Sequence, residues 1–186
     1  MIVREMTDLL VLDLVEKRML TDQMVLTVGY DIDNLKDAQK RKNYKGQVMT
    51  DHYGRTVPKH AHGSVNLPFP TSSSKLIIDA VIELYDRIVD RSLTVRRMYV
   101  VAAGLSSEDQ ARYDDSDEQL DFFSDAEKQA EEKRRREESL KREKNMQRAV
   151  LSLKRRFGKN AVLKGTNLRE GATAIERNAQ IGGHRA

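Results

Sequence analysis

Apolar positions in the first hundred residues follow two distinct periods. From Met24 to Tyr30 they alternate, with Met24, Leu26, Val28 and Tyr30 on one face and Val25, Thr27 and Gly29 on the other. That pattern predicts a half-buried strand. Before it, Thr7 to Leu20 reads as a helix, with Thr7 an N-cap ahead of an apolar run. After a long polar excursion, a second strand is expected around His62–Leu67, stopped by Pro68 and Pro70. Thr71 or Ser72 then caps a second helix, whose stripe Leu76, Ile77, Ala80, Val81, Leu84, Tyr85 and Ile88 recurs at helical spacing. A last strand runs from Val95 to Ala103, with Met98 and Val100 on one face and Arg97 and Tyr99 on the other.

This order of helix, strand, strand, helix, strand predicts an α+β fold: a small antiparallel sheet with two helices on one face and the other face open. Alternation assigns Thr27, Gly29, His62, Ser64, Asn66, Arg97 and Tyr99 to the open face. These side chains are small, polar or cationic, and Gly29 permits close approach of a ligand's backbone. Such a face offers hydroxyl, amide and guanidinium donors to a polyanion. The plainer reading is that any solvated sheet face is polar.

The second half has a different character. From Asp114 to Asp125 there are six carboxylates and no basic residue, so this stretch cannot build a core. Within it stands Gln119-Leu120-Asp121-Phe122-Phe123, which holds half of the chain's phenylalanines. Apolar side chains in a solvated linker suit a partner's pocket. A charged run from Asp125 to Arg156 follows, read as a long helix with a narrow apolar stripe of Met146, Val150, Leu153 and Phe157 near its end. The remainder, from Gly158 onward, is glycine-containing and basic, and is expected to be poorly ordered by itself. The expected organisation is therefore a domain over 1–105, an acidic linker over 106–125, a charged helix over 126–157 and a flexible tail over 158–186.

Composition narrows the function. At 186 residues, with 39% hydrophobic and 33% charged residues, the chain supports one modest core plus solvated extensions. The absence of cysteine excludes disulfides and thiolate metal sites, and fits a cytoplasmic setting. The apolar run Leu9–Leu14 is short and broken by Asp13, so no membrane partner is expected. The net charge of +4 is unevenly spread: from Lys36 to His62, seven Lys/Arg face two Asp and are joined by three histidines. That patch suits a polyanion, though a solvated loop also accounts for it.

Enzyme chemistry finds little support. His52, His60 and His62 with Asp51 are ordinary metal ligands, and make a metal-dependent nuclease the enzyme-class alternative. The neighbouring Arg55 and Lys59 disfavour a cation there. The carboxylate pairs Asp114/Asp115 and Asp8/Asp13 lie in a linker and beside a helix, without the fixed surroundings a catalytic metal needs. No Gly-rich phosphate loop or nucleophile elbow is present. No catalytic residue and no metal ligand is assigned.

Several stretches, in order, resemble one family. They are Arg4-Glu5-Met6-Thr7-Asp8-Leu9-Leu10, Thr21 to Asp31, Tyr44-Lys45-Gly46, Asp51-His52-Tyr53-Gly54-Arg55 and Pro58-Lys59-His60-Ala61-His62-Gly63, then Phe157-Gly158-Lys159-Asn160-Ala161, Gly171-Ala172-Thr173 and Gln180-Ile181-Gly182-Gly183-His184. Together they resemble the C-terminal part of Y-family translesion DNA polymerases, similar to the DNA polymerase V catalytic subunit of Gram-positive bacteria. The pentad from Gln119 to Phe123 resembles the bacterial sliding-clamp-binding peptide, with Phe122 where the usual form has Leu.

The resemblance implies a little finger domain, in which a four-stranded sheet with two helices grips primer-template duplex, followed by a clamp-binding tail. It implies a role in damage tolerance of the SOS type, in the bacterial cytoplasm at the nucleoid. Nothing in the chain matches the family's metal-binding palm motifs, so the chain alone is expected to be inactive, and Mg2+ belongs to the palm. The sequence starts after the family's first strand, so the sheet is expected to be one strand short, as in a truncated gene product, a domain fragment, or a split product whose partner is a separate palm-fingers chain. The rival is a free-standing clamp- and DNA-binding adaptor that competes with polymerases. Arg55, Lys59, His60, His62, Ser64, Arg97 and Tyr99 are the candidates for DNA contact. Lys45 and Lys75 are second-line, Lys75 because first-turn helix amides favour phosphate.

Overall fold

The computed structural model describes residues 1–36, 38–109, 126–181 and 184–185. Helix α1 spans Ile2–Lys17 and strand β1 Met19–Tyr30. Short helices α2 (Asp33–Lys36) and α3 (Ala38–Asn43) lead to a hairpin of β2 (Val48–Thr50) and β3 (Thr56–Pro58). Strand β4 (Ala61–Thr71), helix α4 (Ser74–Ile88) and strand β5 (Val95–Ser107) complete the domain. A long helix α5 (Ala126–Phe157) follows, then a 3-10 turn at Gly165–Leu168, helix α6 (Ala174–Asn178) and two-residue strands β6 (Gln180–Ile181) and β7 (His184–Arg185).

Among the described residues the main sheet has three antiparallel strands in the order β4-β1-β5, where the resemblance implies four. Strand β1 lies at the centre, so its side-chain alternation decides which face of the sheet is buried. Met24, Leu26, Val28 and Tyr30 turn into the core, where α1 contributes Val3, Val11 and Leu14 and α4 contributes Ile77, Val81 and Leu84. Each of these buried aliphatic side chains contributes about 1.5–3 kcal/mol by leaving water. The α+β fold expected from the pattern, with two helices on one sheet face, is the fold observed.

The boundaries differ from expectation in ways that have physical causes. Helix α1 begins five residues before Thr7, so Thr7 is an interior position; its buried hydroxyl donates back to the Val3 carbonyl at 2.7 Å rather than capping. Arg18, in the left-handed region at φ 55°, ends the helix, its N–H bonding to the Leu14 and Val15 carbonyls. Strand β1 can therefore start at Met19. Strand β4 runs through Pro68 and Pro70 instead of stopping before them. It is an edge strand with both prolines exposed, so their missing N–H groups cost no ladder bond, and the register with β1 shifts there. Helix α4 is capped by Ser73, whose Oγ accepts from the Leu76 N–H at 3.3 Å; Thr71 instead bonds the Ser73 N–H at 3.1 Å. Strand β5 extends to Ser107, and Glu108 is buried, so the domain passes the expected boundary at residue 105.

Helix α5 docks largely through polar side chains. Its stripe residues Met146, Leu153 and Phe157 are exposed. Glu143 instead reaches the N-terminus of α4, accepting from Ser73 Oγ at 2.6 Å and from the Lys75 N–H at 3.2 Å. Gln147 is buried and donates to the Ser72 carbonyl and to Ser74 Oγ, both at 3.0 Å. Lys144 lies 2.7 Å and Arg148 3.7 Å from the buried Glu108 carboxylate. A carboxylate at a helix N-terminus satisfies free amides and complements the helix dipole, and a buried carboxylate needs such cationic partners. These polar contacts hold the helix together with half-buried Val150 and Leu151.

The segment after α5 takes its order from α1. Glu5, only 4% exposed, accepts from Asn167 Nδ2 at 3.1 Å, the Thr173 N–H at 3.0 Å and Thr173 Oγ1 at 3.1 Å. Lys164 pairs with Asp8, and Ala174 is buried. Burial pushes the Glu5 carboxyl pKa up, but the bonds from Asn167, Thr173 and Ala174 outweigh it and hold it below the ordinary range. The stability that this charge contributes is thus fully present above the unfolded-state pKa and is lost as pH falls through the lower folded value. Glu5→Gln should destabilise the protein at neutral pH by about 1–3 kcal/mol and release amide protection over residues 164–174. In denaturant titrations, the gap from wild type should close as the solution is acidified below the glutamate range.

Candidate nucleic-acid interface

The open face of the sheet is built from alternate residues of all three strands. Strand pairing sets His62 of β4, Thr27 of β1 and Tyr99 of β5 in one row across the sheet. In that row His62 Nδ1 and Thr27 Oγ1 share a 2.8 Å hydrogen bond, which holds the ring against β1. The next rows carry Arg97 opposite Gly29, then Ser64, Val25 and Val101, then Asn66, Gln23 and Ala103. Gln23 Nε2 donates to Asn66 Oδ1 at 2.8 Å.

Gly29 has a different use from the one expected. A Cβ built there would stand 3.0 Å from Arg97 Cγ and 3.2 Å from its Nε. The space is filled by the arginine's own stem, which lies across the central strand. Glycine at this position therefore sets the path of Arg97 rather than admitting a ligand's backbone. At the other end, Gly104 has φ +57°, and a Cβ there would overlap the Asp22 carboxylate, so that crossing tolerates no side chain.

The face is graded along the strands. Its Arg97–His62 end is cationic and polar. Toward the far end β5 exposes Val101 (50%) and Leu105 (52%). The alternation that places Arg97 and Tyr99 outward continues through Val101 and Leu105, so the same periodic signal in the sequence marks this apolar stretch.

The basic excursion meets the cationic end. Lys59 and His60 join the β2–β3 hairpin directly to β4. His60 Nδ1–H donates to Met49 Sδ of β2 at 3.2 Å, and the His60 ring stands edge-on to His62, with centroids 6.4 Å apart. Lys59 Nζ donates to Gln47 Oε1 at 2.8 Å and remains exposed. Lys45 is exposed in the loop before β2.

Two sequence candidates sit differently from expectation. Arg55 is engaged by Asp51, with its Nε 2.9 Å and NH2 2.6 Å from Asp51 Oδ2. Hydrogen bonds from the Arg55 side chain and N–H hold the Asp51 carboxyl below its ordinary pKa, and the same contact raises that of Arg55. Its charge is therefore compensated within the hairpin. Lys75 lies in the helix layer, and its N–H already serves Glu143, so the first-turn amide is not open to a phosphate.

The histidines do not converge. His52 packs edge-on against Tyr53 at 5.5 Å, apart from the His60–His62 pair, and Asp51 is occupied by Arg55. Among the described residues no group of three or more His, Cys, Asp or Glu is placed to hold a metal, and no helix is long and apolar enough to cross a membrane. The pentad Gln119–Phe123 lies outside the described residues.

An independent comparison bears on this surface. The model of the impB/mucB/samB family C-terminal domain matches residues 1–121. The chain belongs to that family. This is the C-terminal region of Y-family polymerases, which act in DNA damage tolerance. Searches of curated proteins and of solved structures gave no match. The matched span contains α1, the whole three-stranded sheet, the β2–β3 hairpin and α4, so the family domain and the open face are the same unit.

Proposed function

We propose that this domain is the non-catalytic little finger of a translesion polymerase like the DNA polymerase V catalytic subunit of Gram-positive bacteria. It holds primer-template duplex by its phosphates on the open face of the sheet. The observation that carries this reading is the row His62–Thr27–Tyr99 with Arg97 beside it, on a sheet face left free by both helices and joined through Lys59 and His60 to the hairpin. Hydroxyl, imidazole and guanidinium groups in fixed positions suit phosphate oxygens and carry no base code, which fits a domain that must hold any sequence. Catalysis in such a polymerase belongs to a palm with its Mg2+ ions, and this chain contributes grip.

The second part of the reading is a tether. Gln119, Leu120, Asp121, Phe122 and Phe123 dock in the apolar cleft of a bacterial sliding clamp, with Leu120 and Phe123 filling it. Burying two such side chains is worth roughly 3–6 kcal/mol before the cost of ordering the peptide. Affinity is therefore weak alone and useful in combination with DNA contact. The setting is SOS-type damage tolerance in the bacterial cytoplasm.

A phosphate-dominated grip predicts a steep salt dependence. Affinity for a random duplex should fall with a log–log slope of roughly −3 to −5, and Arg97→Ala should make that slope shallower by about one. An affinity unchanged across the salt series would contradict the grip. For the tether, calorimetric titration into a bacterial clamp should give a Kd on the order of micromolar. A Leu120→Ala/Phe123→Ala double variant should abolish the heat, and equal binding by both forms would remove the pentad from the account.

A further inference from the structure

The β2–β3 hairpin presents its tip as a built feature. Asp51 Oδ1 accepts from the Tyr53 and Arg55 N–H groups, both at 2.9 Å, while Asp51 Oδ2 takes the Arg55 guanidinium. The Asp51 N–H donates to the Arg55 carbonyl at 2.9 Å, and Gly54, at φ +74°, returns its N–H to the Asp51 carbonyl at 3.0 Å. The turn thus closes on Asp51, with Tyr53 and Arg55 bonded to its carboxylate and Gly54 to its backbone carbonyl. The side chain this turn leaves outside is Tyr53, 77% exposed, the most exposed of the large hydrophobic residues described.

Two neighbours touch the ring. The Arg55 guanidinium carbon lies over it, 4.8 Å from its centroid, and His52 packs edge-on at 5.5 Å. Arg55 has its charge answered by Asp51, so its place here is against the ring. At 77% exposure, most of the Tyr53 side chain remains open to a ligand. A planar, apolar, exposed surface at the tip of a hairpin that joins the open face suits a nucleic-acid base. Inside a duplex both faces of each base are covered by stacked neighbours, so only an unpaired base has a free face to offer.

We propose that Tyr53 is a stacking platform for one unpaired base next to the duplex held on the open face, with Asp51 and Arg55 as positioning residues. This rests on the duplex-grip reading above and adds to it a preference for the junction between paired and unpaired DNA. The hairpin reaches that face through the contacts Met49–His60 and His60–His62. Stacking makes a contribution largely independent of salt, which separates it from the cationic grip.

The test compares a blunt duplex with the same duplex carrying a short single-stranded overhang that contains 2-aminopurine. Wild type should bind the overhang form about tenfold tighter, a typical contribution of one stacked base, and should quench the 2-aminopurine. Tyr53→Ala should bring the overhang affinity down to the blunt value and remove the quenching, with blunt affinity, salt slope and melting temperature unchanged. Tyr53→Trp should keep both effects. Arg55→Ala should lose part of the preference. An overhang preference that survives in Tyr53→Ala, or equal loss on both substrates, would overturn the platform while leaving the grip intact. Failure of wild type to bind even the blunt duplex would overturn the grip and the platform together.

Discussion

The structure depends on one constraint, the placement of β1 between β4 and β5 with a single buried face. Because β1 bonds to both neighbours, its alternation is imposed on the whole sheet. Met24, Leu26, Val28 and Tyr30 select the side on which α1 and α4 must pack, and Thr27 and Gly29 are thereby turned outward with His62, Ser64, Arg97 and Tyr99. The composition of the open face is thus a by-product of the core. A slip of one residue in β1 would bury Thr27 and expose Leu26, destroying both at once.

Around that sheet, the remaining elements are secured mainly by polar contacts to a few carboxylates. Glu143 caps α4 from α5, Glu108 draws Lys144 and Arg148 onto the end of β5, Glu5 gathers the residues after α5, and Asp51 closes the hairpin. Such contacts are individually modest in net stability, but they are directional. They let a chain with a third of its residues charged hold extensions in place around a small core.

This division accounts for what could be read from the sequence. Strands β1 and β5 and helix α4 were legible because burial leaves a periodic trace, and the open-face assignment followed from it. The α5 contact was not, because Glu143 and Gln147 look like any solvated positions of a charged helix. Of the apolar stripe Met146, Val150, Leu153 and Phe157, Val150 is half-buried and the other three are exposed. Thr7 resembled a cap because hydroxyls favour caps, whereas here it bonds back to Val3 inside the helix. Arg55 resembled a phosphate ligand by type, and only the geometry of Asp51 shows its charge already met. Pairing between residues close in sequence but joined by a turn leaves little signature in composition.

The central claim, that the uncovered sheet face grips duplex, is tested most directly by mapping amide chemical-shift changes as a random-sequence duplex is added to the isotopically labelled chain. The account predicts shifts concentrated at Thr27, Gly29, His62, Ser64, Arg97 and Tyr99, with α1 and α4 undisturbed. Shifts confined to the arginine-rich end of α5 around Arg148, Arg155 and Arg156, with a silent sheet, would contradict it.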